Sequence, residues 1–421
     1  MASTKLTRTH GTATNTKKYT WSAWIKRGLV GTQETLVRTR TSDSNYARFR
    51  TDPDKLEFSD IISSSVVTSL ISNEKLRDSN AWYHVVLKVD YTQANAADRA
   101  KIYLNGTEVT YSTSTRQSQN GDSFFNSANG HAIGTYNDNH YFNGVMSHVH
   151  FTDGYAYDAS TFGSTDATTG EWKINTAPSV TYGTNGYFVL KDSNGVTDQS
   201  GNSNNFTVGG GTLTNTEDNP SNVFNTLNLL TKDSSDTLAN GNLKWPAASG
   251  AGYSTVLSTL GFNTGKYYAE AKIVSASTYY PVVGIASSEA SAYYYQPSNS
   301  DYIGDTVGSA GLFMHGDIQI DSSTGSPAPA NYNTGDIVGL AVDLDSATKT
   351  LKLYRNGSID QTYTITAPKG FYHFGCSGGG TNSDSIEWNF GNGYFGSTAI
   401  TSEGTNASGI GKFEYDVPAG Y

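Results

Sequence analysis

The chain has 421 residues, a net charge of −10 and a single cysteine. Its length favours two domains of about 200 residues, each large enough to bury a core. One cysteine excludes an internal disulfide framework, and no segment approaches the roughly 18 apolar residues of a membrane-spanning helix. Residues 221–421 carry 17 acidic and 9 basic side chains. We therefore expect no nucleic-acid partner and no membrane insertion.

The chain opens with a polar stretch. Residues 1–18 show no hydrophobic periodicity and no apolar segment of a signal peptide, so we expect an extended arm or a sheet edge and synthesis in a cytoplasm. A strand follows, in which Trp21, Ala23 and Ile25 occupy alternate positions. Further strands are expected at Leu56–Phe58, Val66–Ile71, His131–Gly134, Tyr141–Phe151, Tyr187–Leu190 and Phe206–Val208.

A hairpin is predicted for Thr35–Asp52. Alternation places four arginines on one of its faces: Arg38, Arg40, Arg48 and Arg50. One interpretation is an ordinary solvated face. The other is an anion-facing patch for an acidic partner protein or a polyanionic glycan.

Two polar features have the residue types of cation sites. His148 and His150 are spaced as two ligands on one strand face, but zinc needs further ligands that no spacing singles out. We interpret them as ordinary strand histidines and predict no metal centre. The oxygens of Asp198–Asn205 could hold calcium, although a plain turn explains them as well. We predict no other cofactor.

Two distant stretches share one pattern. Trp82–Gly106 and Gly335–Gly357 each read as apolar alternation, an aspartate, a polar turn, a second alternating strand and Asn-Gly. Asn-Gly favours the positive φ angles of a tight hairpin. Residues 209–223 are rich in Gly and Asn and form the best linker. The sequence thus predicts an all-β chain with an arm (1–18), a first sandwich (19–208), the linker and a second sandwich (224–421).

The second half predicts strands at Tyr267–Ile273, Val282–Ala286 and Ile386–Phe390 around a tyrosine-rich loop. Aromatic faces with amides and acids are typical of sugar-binding surfaces, so we hypothesise that the loops bind a ligand. The alternative is that the tyrosines pack the loops onto the sandwich. The candidate ligand-binding residues are Tyr279, Tyr280, Tyr293, Tyr294, Tyr295, Asn299, Asp301, Tyr302 and Asp305.

The first half resembles the concanavalin A-like lectin/glucanase (laminin-G-like) jelly roll. The motifs that carry this resemblance are Trp24–Arg27, Ala81–Leu87, Lys101–Gly106, His131–Gly134 and Phe142–Phe151. The second half resembles a SPRY domain. Its motifs are Gly265–Glu270, Val283–Ala286, Gly335–Asp345, Leu353–Gly357 and Trp388–Gly391. The fold expected is a jelly roll followed by a SPRY-type sandwich, both antiparallel.

The tandem and its connector, Asn219–Asn228, resemble virion proteins of marine tailed bacteriophages. The resemblance implies a non-enzymatic virion surface protein, a fibre, appendage or head decoration, that adheres to a host-surface glycan or protein. Its partners would be other virion proteins, touched by the four arginines, and host receptors; phage appendages are often homotrimers. The alternatives are a purely structural capsid decoration and a glucanase-like enzyme. We expect no enzyme, because no Glu-x-Asp-x-x-Glu run or Ser–His–Asp motif occurs.

Overall fold

The computed structural model of the chain describes residues 3–191, 195–232, 236–246, 250–276, 281–290, 301–325, 327–366, 368–380 and 384–421. Strands dominate these ranges, and helical structure is limited to single turns such as Ala96–Asp98 and Ala159–Thr161. The predicted all-β class is confirmed. Within the described ranges, no helix has the length and apolar character needed to cross a membrane.

The chain divides into two compact units. The first comprises Met1–Asn215 and Asn219–Val223, and the second comprises Thr216–Asp218 and Phe224–Tyr421. Each unit contains two large antiparallel sheets and its own cluster of buried apolar side chains. Both units therefore have the layered architecture of a β-sandwich.

The strands of the first unit are β1 Lys5–Thr9, β2 Lys18–Arg27, β3 Glu34–Ser42, β4 Asn45–Thr51, β5 Leu56–Ile62, β6 Ser65–Ser72, β7 Trp82–Asp90, β8 Ala100–Leu104, β9 Thr107–Glu108, β10 Tyr111–Thr115, β11 Gly130–Ile133, β12 Gly144–Asp153, β13 Gly163–Thr165, β14 Trp172–Ile174, β15 Tyr187–Val189 and β16 Thr207–Gly210. An eight-stranded sheet has the order β10-β6-β5-β4-β3-β11-β1-β16. A six-stranded sheet has the order β15-β12-β2-β7-β8-β9, and β13 and β14 form a separate hairpin.

Within the six-stranded sheet, β2 is buried on both faces. Alternate residues of β2, including Trp21 and Ile25, are fully buried in the core between the sheets. The opposite face of β2 is also covered, because the segment after β12 lies over it: Tyr157 N–H donates to Thr20 Oγ1 at 2.7 Å. The β13–β14 hairpin belongs to this covering segment.

The expectation of an extended arm or an edge is wrong for residues 5–9. Residues 5–9 form β1, which pairs with β11 on one side and β16 on the other. Leu6 is buried in the core. A five-residue strand with one inward apolar side chain gives no periodic signal, and its pairing partners lie more than 120 residues away in the sequence.

The alternation expected along β12 is also interrupted. The pairing of β12 with β2 shifts register between Ser147 and His150, and His148 adopts a φ of +50°. This bulge lets Met146 pack against the same core as Val149, although strict alternation would put them on opposite faces.

The strands of the second unit are β17 Lys244–Pro246, β18 Gly250–Leu257, β19 Lys266–Ser275, β20 Val282–Ser287, β21 Ser309–Phe313, β22 Ile318–Ile320, β23 Ser323–Thr324, β24 Ile337–Asp343, β25 Thr350–Arg355, β26 Ser358–Thr364, β27 Tyr372–Gly380, β28 Ser385–Asn389, β29 Tyr394–Phe395 and β30 Thr398–Ala399. One sheet has the order β17-β28-β19-β24-β25-β26. The other has the order β18-β27-β20-β21-β22-β23.

The two predicted meanders are β7-β8-β9 and β24-β25-β26. In each, three consecutive strands pair as antiparallel neighbours. Val338 and Leu340 face the sandwich core, whereas Ala341 packs with Tyr268 and Phe413 on the other face of the sheet. The segment after β30 therefore covers the outer face of this sheet.

Candidate functional site: a tryptophan-lined cavity

A cavity of about 340 Å³ lies in the first unit, beside the end of the six-stranded sheet. We call it the tryptophan cavity. Three indoles line it together with carboxyl and amide groups. Its lining includes Trp24, Trp82, Trp172, Asp78, Asn80, Asn105 and Glu171.

Trp24 and Trp172 form an aromatic wall of the cavity, and the fully buried His84 lies behind them. Trp24 and His84 are directly opposed on β2 and β7, and their ring centroids lie 5.0 Å apart. The ring of Trp172, on β14, lies nearly parallel to that of His84, at 20°, with the two centroids 5.9 Å apart. The wall thus combines a residue of β2 with one of the covering hairpin, and both rings lie against a residue of β7.

Trp172 packs against two glycines, whose lack of a side chain leaves room for its indole ring. A Cβ atom at Gly106 would lie 2.4 Å from the Trp172 ring, and one at Gly163 would lie 2.7 Å from it. Gly106 also adopts a φ of +81°, which strains any L side chain. Both positions therefore need glycine for the indole to lie against the sheet.

His84 links the wall to the sheet beneath. It is fully buried, and burial lowers its pKa to about 3, so the ring is neutral. Trp172 Nε1–H donates to His84 Nδ1 at 3.0 Å. The single ring proton therefore sits on Nε2, which donates to Ser22 Oγ at 2.9 Å.

This tautomer decides what the Ser22–His84 pair can do. A general base must present a lone pair to the serine hydroxyl. Here Nε2 carries the proton, because the indole of Trp172 occupies the Nδ1 lone pair. As arranged, the histidine positions the serine and the tryptophan and does not activate a nucleophile.

Polar groups at the rim are held by local hydrogen bonds. Asp78 Oδ1 accepts from the backbone N–H of Asn80 at 2.8 Å and of Ala81 at 3.2 Å. Asn105 Oδ1 accepts from the backbone N–H of His84 at 2.8 Å. Among the described lining residues the charged groups are the carboxylates Asp78 and Glu171. The cavity therefore suits hydroxyl-rich or cationic ligands and disfavours anions.

The tyrosine-rich loop is described only in part. Tyr279, Tyr280, Tyr293, Tyr294, Tyr295 and Asn299 lie outside the described residues. Tyr302 packs edge-on against Phe313, at 5.0 Å, and its hydroxyl donates to Gln319 at 3.1 Å. Burial, followed by the charge of neighbouring Asp301, raises the pKa of Asp305 to about 6. The structure thus brings Asp301 and Asp305 together, and the ligand role of this loop stays a prediction.

The four arginines lie on the face of β3 and β4 that points away from the core. Arg38 and Arg48 are directly opposed, and both Arg40 and Arg48 lie over the ring of Tyr136. Carboxylates offset much of their charge. Arg50 Nη2 lies 2.9 Å from Glu57 Oε2 and also pairs with Asp52, Arg48 lies 3.6 Å from Glu57, and Arg40 pairs with Asp43 at 2.8 Å. A contact of this face with an anion or a virion protein stays a prediction.

The two possible cation sites are engaged in hydrogen bonds within the chain. His150 stacks on Phe188 at 3.9 Å, and its Nδ1 lies 2.9 Å from the Tyr182 hydroxyl. Asp198 accepts four hydrogen bonds, from the N–H groups of Phe188, Ser200 and Asn204 and from the Ser200 hydroxyl. Among the described residues, no three or more His, Cys, Asp or Glu side chains are grouped so that they could hold a metal ion.

Sequence reasoning missed the tryptophan cavity. Trp24 and Trp82 belong to the motifs of the concanavalin A-like resemblance, but Trp172 lies in a three-residue strand that no pattern predicted. The signal that could have found the cavity was the alternation of side chains along β2. Trp21 and Trp24 occupy opposite faces, so one of the two indoles had to lie outside the core between the sheets.

Comparisons with known proteins agree with the layered folds. Residues 2–161 match the family model Laminin_G_3, described as the concanavalin A-like lectin/glucanases superfamily. A comparison with curated proteins found none that matches the chain. The first unit therefore contains a concanavalin A-like β-sandwich domain, as the sequence motifs predicted.

The chain is also similar to several solved structures. One is the SPRY domain of human HERC1, with 14% identity and a TM-score of 0.32 over 38% of this chain and 96% of that one. Another is a human SPRY domain, with 11% identity and a TM-score of 0.30 over 37% and 94%. A third is the native heptameric SAP-like pentraxin from Limulus polyphemus, with 16% identity and a TM-score of 0.30 over 41% and 86%.

Proposed function

We propose that this chain is a non-enzymatic virion surface protein that adheres to a host-surface glycan through the tryptophan cavity. The observation that carries the proposal is the aromatic wall of Trp24 and Trp172, backed by His84, beside carboxyl and amide groups. Pyranose rings have apolar faces that stack on indoles and hydroxyl edges that bond to Asp, Glu and Asn. The cavity offers both kinds of contact within one sugar-sized volume.

The charge of the cavity narrows the ligand class. Asp78 and Glu171 accept hydrogen bonds from sugar hydroxyls, but they repel uronate, sialate and sulfate groups. A neutral or amino sugar therefore fits better than an acidic one.

Binding without catalysis is favoured by where the buried carboxyl groups of raised pKa lie. Glycoside hydrolysis needs a carboxylic acid beside the scissile bond, with a pKa raised so that it still holds its proton. In the first unit burial raises the pKa to about 7 for Glu34 and Asp60, and neither lines the cavity. In the Ser22–His84 pair, the Nε2 atom of His84 carries the proton, so the histidine cannot activate the serine hydroxyl as a nucleophile.

The virion assignment rests on the tandem order of the two sandwiches and on their connector. Arg38 and Arg40, which lie on the outer face of β3, are suitable for contact with acidic virion proteins. Arg48 and Arg50 share Glu57 and stabilise the sheet itself. Loss of particle incorporation in an Arg38→Gln/Arg40→Gln variant would support this contact, and normal incorporation would contradict it. Immunogold labelling of this protein on intact particles shows whether it lies on the head, on the tail or on neither.

The adhesion proposal is tested by affinity electrophoresis through gels that contain laminarin, mannan, agarose or xylan. At least one polymer is expected to retard the wild-type protein. Trp172→Ala removes the outer ring of the wall and is expected to weaken the binding by about tenfold or more, since a buried indole contact typically contributes about 2 kcal/mol.

Tyr155→Ala is the matched control, because Tyr155 is an exposed aromatic of the same unit that does not line the cavity. Equal retardation of both variants and the wild type would contradict the assignment of the cavity. Absence of retardation in every gel would contradict glycan adhesion itself. Release of reducing ends from the retarding polymer would contradict the non-enzymatic assignment.

A further inference from the structure

The two meanders close with the same hydrogen-bonded ring. In the first unit Asn105 N–H donates to His84 O at 2.8 Å, and His84 N–H donates to Asn105 Oδ1 at 2.8 Å. In the second unit Asn356 and Ile337 exchange the same two bonds, both at 2.9 Å. Each asparagine thereby ties the hairpin turn back to the first strand of its meander.

The backbone of the two turns is also the same. The φ angles are +48° at Asn105 and +81° at Gly106, against +47° at Asn356 and +80° at Gly357. Positive φ at both central residues is the geometry of a two-residue hairpin turn. The two units therefore present one structural element twice.

A cavity borders the asparagine in both units. In the first unit Asn105 lines the tryptophan cavity together with Asp78 and Asn80, which precede β7. In the second unit Asn356 lines a cavity of about 360 Å³ together with Asn333 and Asp336, which precede β24. The two cavities thus occupy the same position relative to the meander. We call the second one the β24 cavity.

The lining of the β24 cavity is polar and presents both acceptors and donors. Asp336 is held in place by Asn356 Nδ2–H at 2.8 Å and by the backbone N–H of Asn333 at 2.9 Å. Asp360 Oδ2 accepts from Ala330 N–H and from the Tyr332 hydroxyl. Each carboxylate oxygen has two lone pairs, so capacity for a ligand remains on both groups.

The remaining lining supplies a cation and an apolar surface. Arg355 donates one guanidinium hydrogen bond to Asn331 O at 3.1 Å and has four further N–H donors. Ile359 is 59% exposed beside these groups. Two carboxylates, two amides and a guanidinium around one aliphatic side chain are complementary to vicinal hydroxyls on a sugar ring.

We propose that the β24 cavity is a second glycan site, so that one chain binds two neutral saccharide segments, one in each unit. This inference rests on the proposed function and extends it from one site to two. The β24 cavity has no aromatic side chain among its described lining residues, so its affinity is lower than that of the tryptophan cavity.

The test is calorimetric titration of the full chain with hexasaccharides prepared from laminarin, mannan, agarose and xylan. The variant Ser358→Trp fills the β24 cavity from an exposed strand position. Thr362→Trp, an exposed residue of the same strand outside the lining, is its matched control. The wild type and Thr362→Trp are expected to bind two hexasaccharides per chain.

At hexasaccharide concentrations that just saturate the wild type, where a site weakened about tenfold or more gives no resolved binding step, Trp172→Ala and Ser358→Trp are each expected to bind one hexasaccharide, and the double variant none. A stoichiometry of one in the wild type that Ser358→Trp leaves unchanged would overturn the second site and leave the adhesion proposal intact. Loss of all binding in the single variant Trp172→Ala would also overturn the second site and leave the adhesion proposal intact. A wild type that binds none of the four hexasaccharides contradicts both proposals.

Discussion

At the scale of single residues, Glu270 shows how one buried carboxylate organises the second unit. Its Oε1 accepts from the Tyr268 hydroxyl and Tyr415 N–H, and its Oε2 accepts from Asn389 Nδ2–H and Glu414 N–H. Burial raises its pKa to about 7, against the effect of these four donors. The carboxylate thereby fixes the segment after β30 to the sheet.

Glu270→Gln is expected to lower the free energy of unfolding of the second unit by about 2–3 kcal/mol. A glutamine has one acceptor atom, so its NH₂ group must face a backbone N–H of Glu414 or Tyr415. Urea unfolding followed by tryptophan fluorescence measures the loss. Glu403→Gln changes an exposed carboxylate and is expected to have little effect; an equal loss in both variants would contradict this role of Glu270.

At the scale of elements, the Asn-Gly turn of the first meander lies against the aromatic wall of the tryptophan cavity. Gly106 supplies the positive φ of the turn and also the flat surface on which Trp172 lies. One residue therefore serves both the hairpin and the cavity. A side chain at this position would displace the indole from His84.

Gly106→Ala is expected to cost about 1 kcal/mol of stability from backbone strain and, in addition, to weaken hexasaccharide binding at the tryptophan cavity. Gly31→Ala is the matched control, because Gly31 has a φ of +75° and an added Cβ would meet nothing within 4 Å. Titration calorimetry compares the two variants. Unchanged affinity in Gly106→Ala, or an equal loss in Gly31→Ala, would contradict the support given to Trp172.

At the scale of the whole molecule, the two units have opposite balances of buried titratable groups. In the first unit burial lowers the pKa of four histidines, which stay neutral when folded: His10, His84, His131 and His150. Burial raises the pKa of Glu34 and Asp60 to about 7. In the second unit burial raises the pKa of Glu270 and Asp305 and lowers that of His373.

Acidification from pH 7.5 to 5.0 is therefore expected to destabilise the first unit and to stabilise the second. Unfolded imidazoles bind protons below about pH 6.5 and the buried native ones do not, so each such histidine costs the fold about 1.4 kcal/mol per pH unit below that value. The raised carboxyls act in the opposite direction, because the native state binds their protons first. Four histidines outweigh two carboxyls in the first unit, and two carboxyls outweigh one histidine in the second.

Hydrogen exchange measured by mass spectrometry, corrected for the intrinsic pH dependence, reports on both units in one sample. Protection of β2 and β7 is expected to fall at pH 5.0, and that of β19 and β24 to rise. A parallel change in both units would contradict this assignment of the buried groups.

Local signals predicted much of the fold. Period-two alternation with Asn-Gly located both meanders to within a few residues, because each strand has one face toward a core and each turn needs positive φ. Asn-Gly did not reveal that Asn105 and Asn356 also bond back to a strand about 20 residues earlier. The four arginines of the hairpin were found because the alternation of side chains along a strand can be seen in the local sequence. The carboxylates that offset their charge come from neighbouring strands and turns, which the local sequence does not place beside them.

The sequence by itself determined the class of this protein: strand periodicity, tight turns and family motifs specify two β-sandwiches, the first concanavalin A-like. Only the tertiary structure decided where the proposed ligand site lies. The tryptophan cavity joins β2, β7 and a hairpin about 150 residues after β2, and the proton of His84 is placed by an indole from that hairpin. Side-chain periodicity indicates which residues are buried. A binding site depends on which surfaces of the chain meet, and only long-range strand pairing determines that.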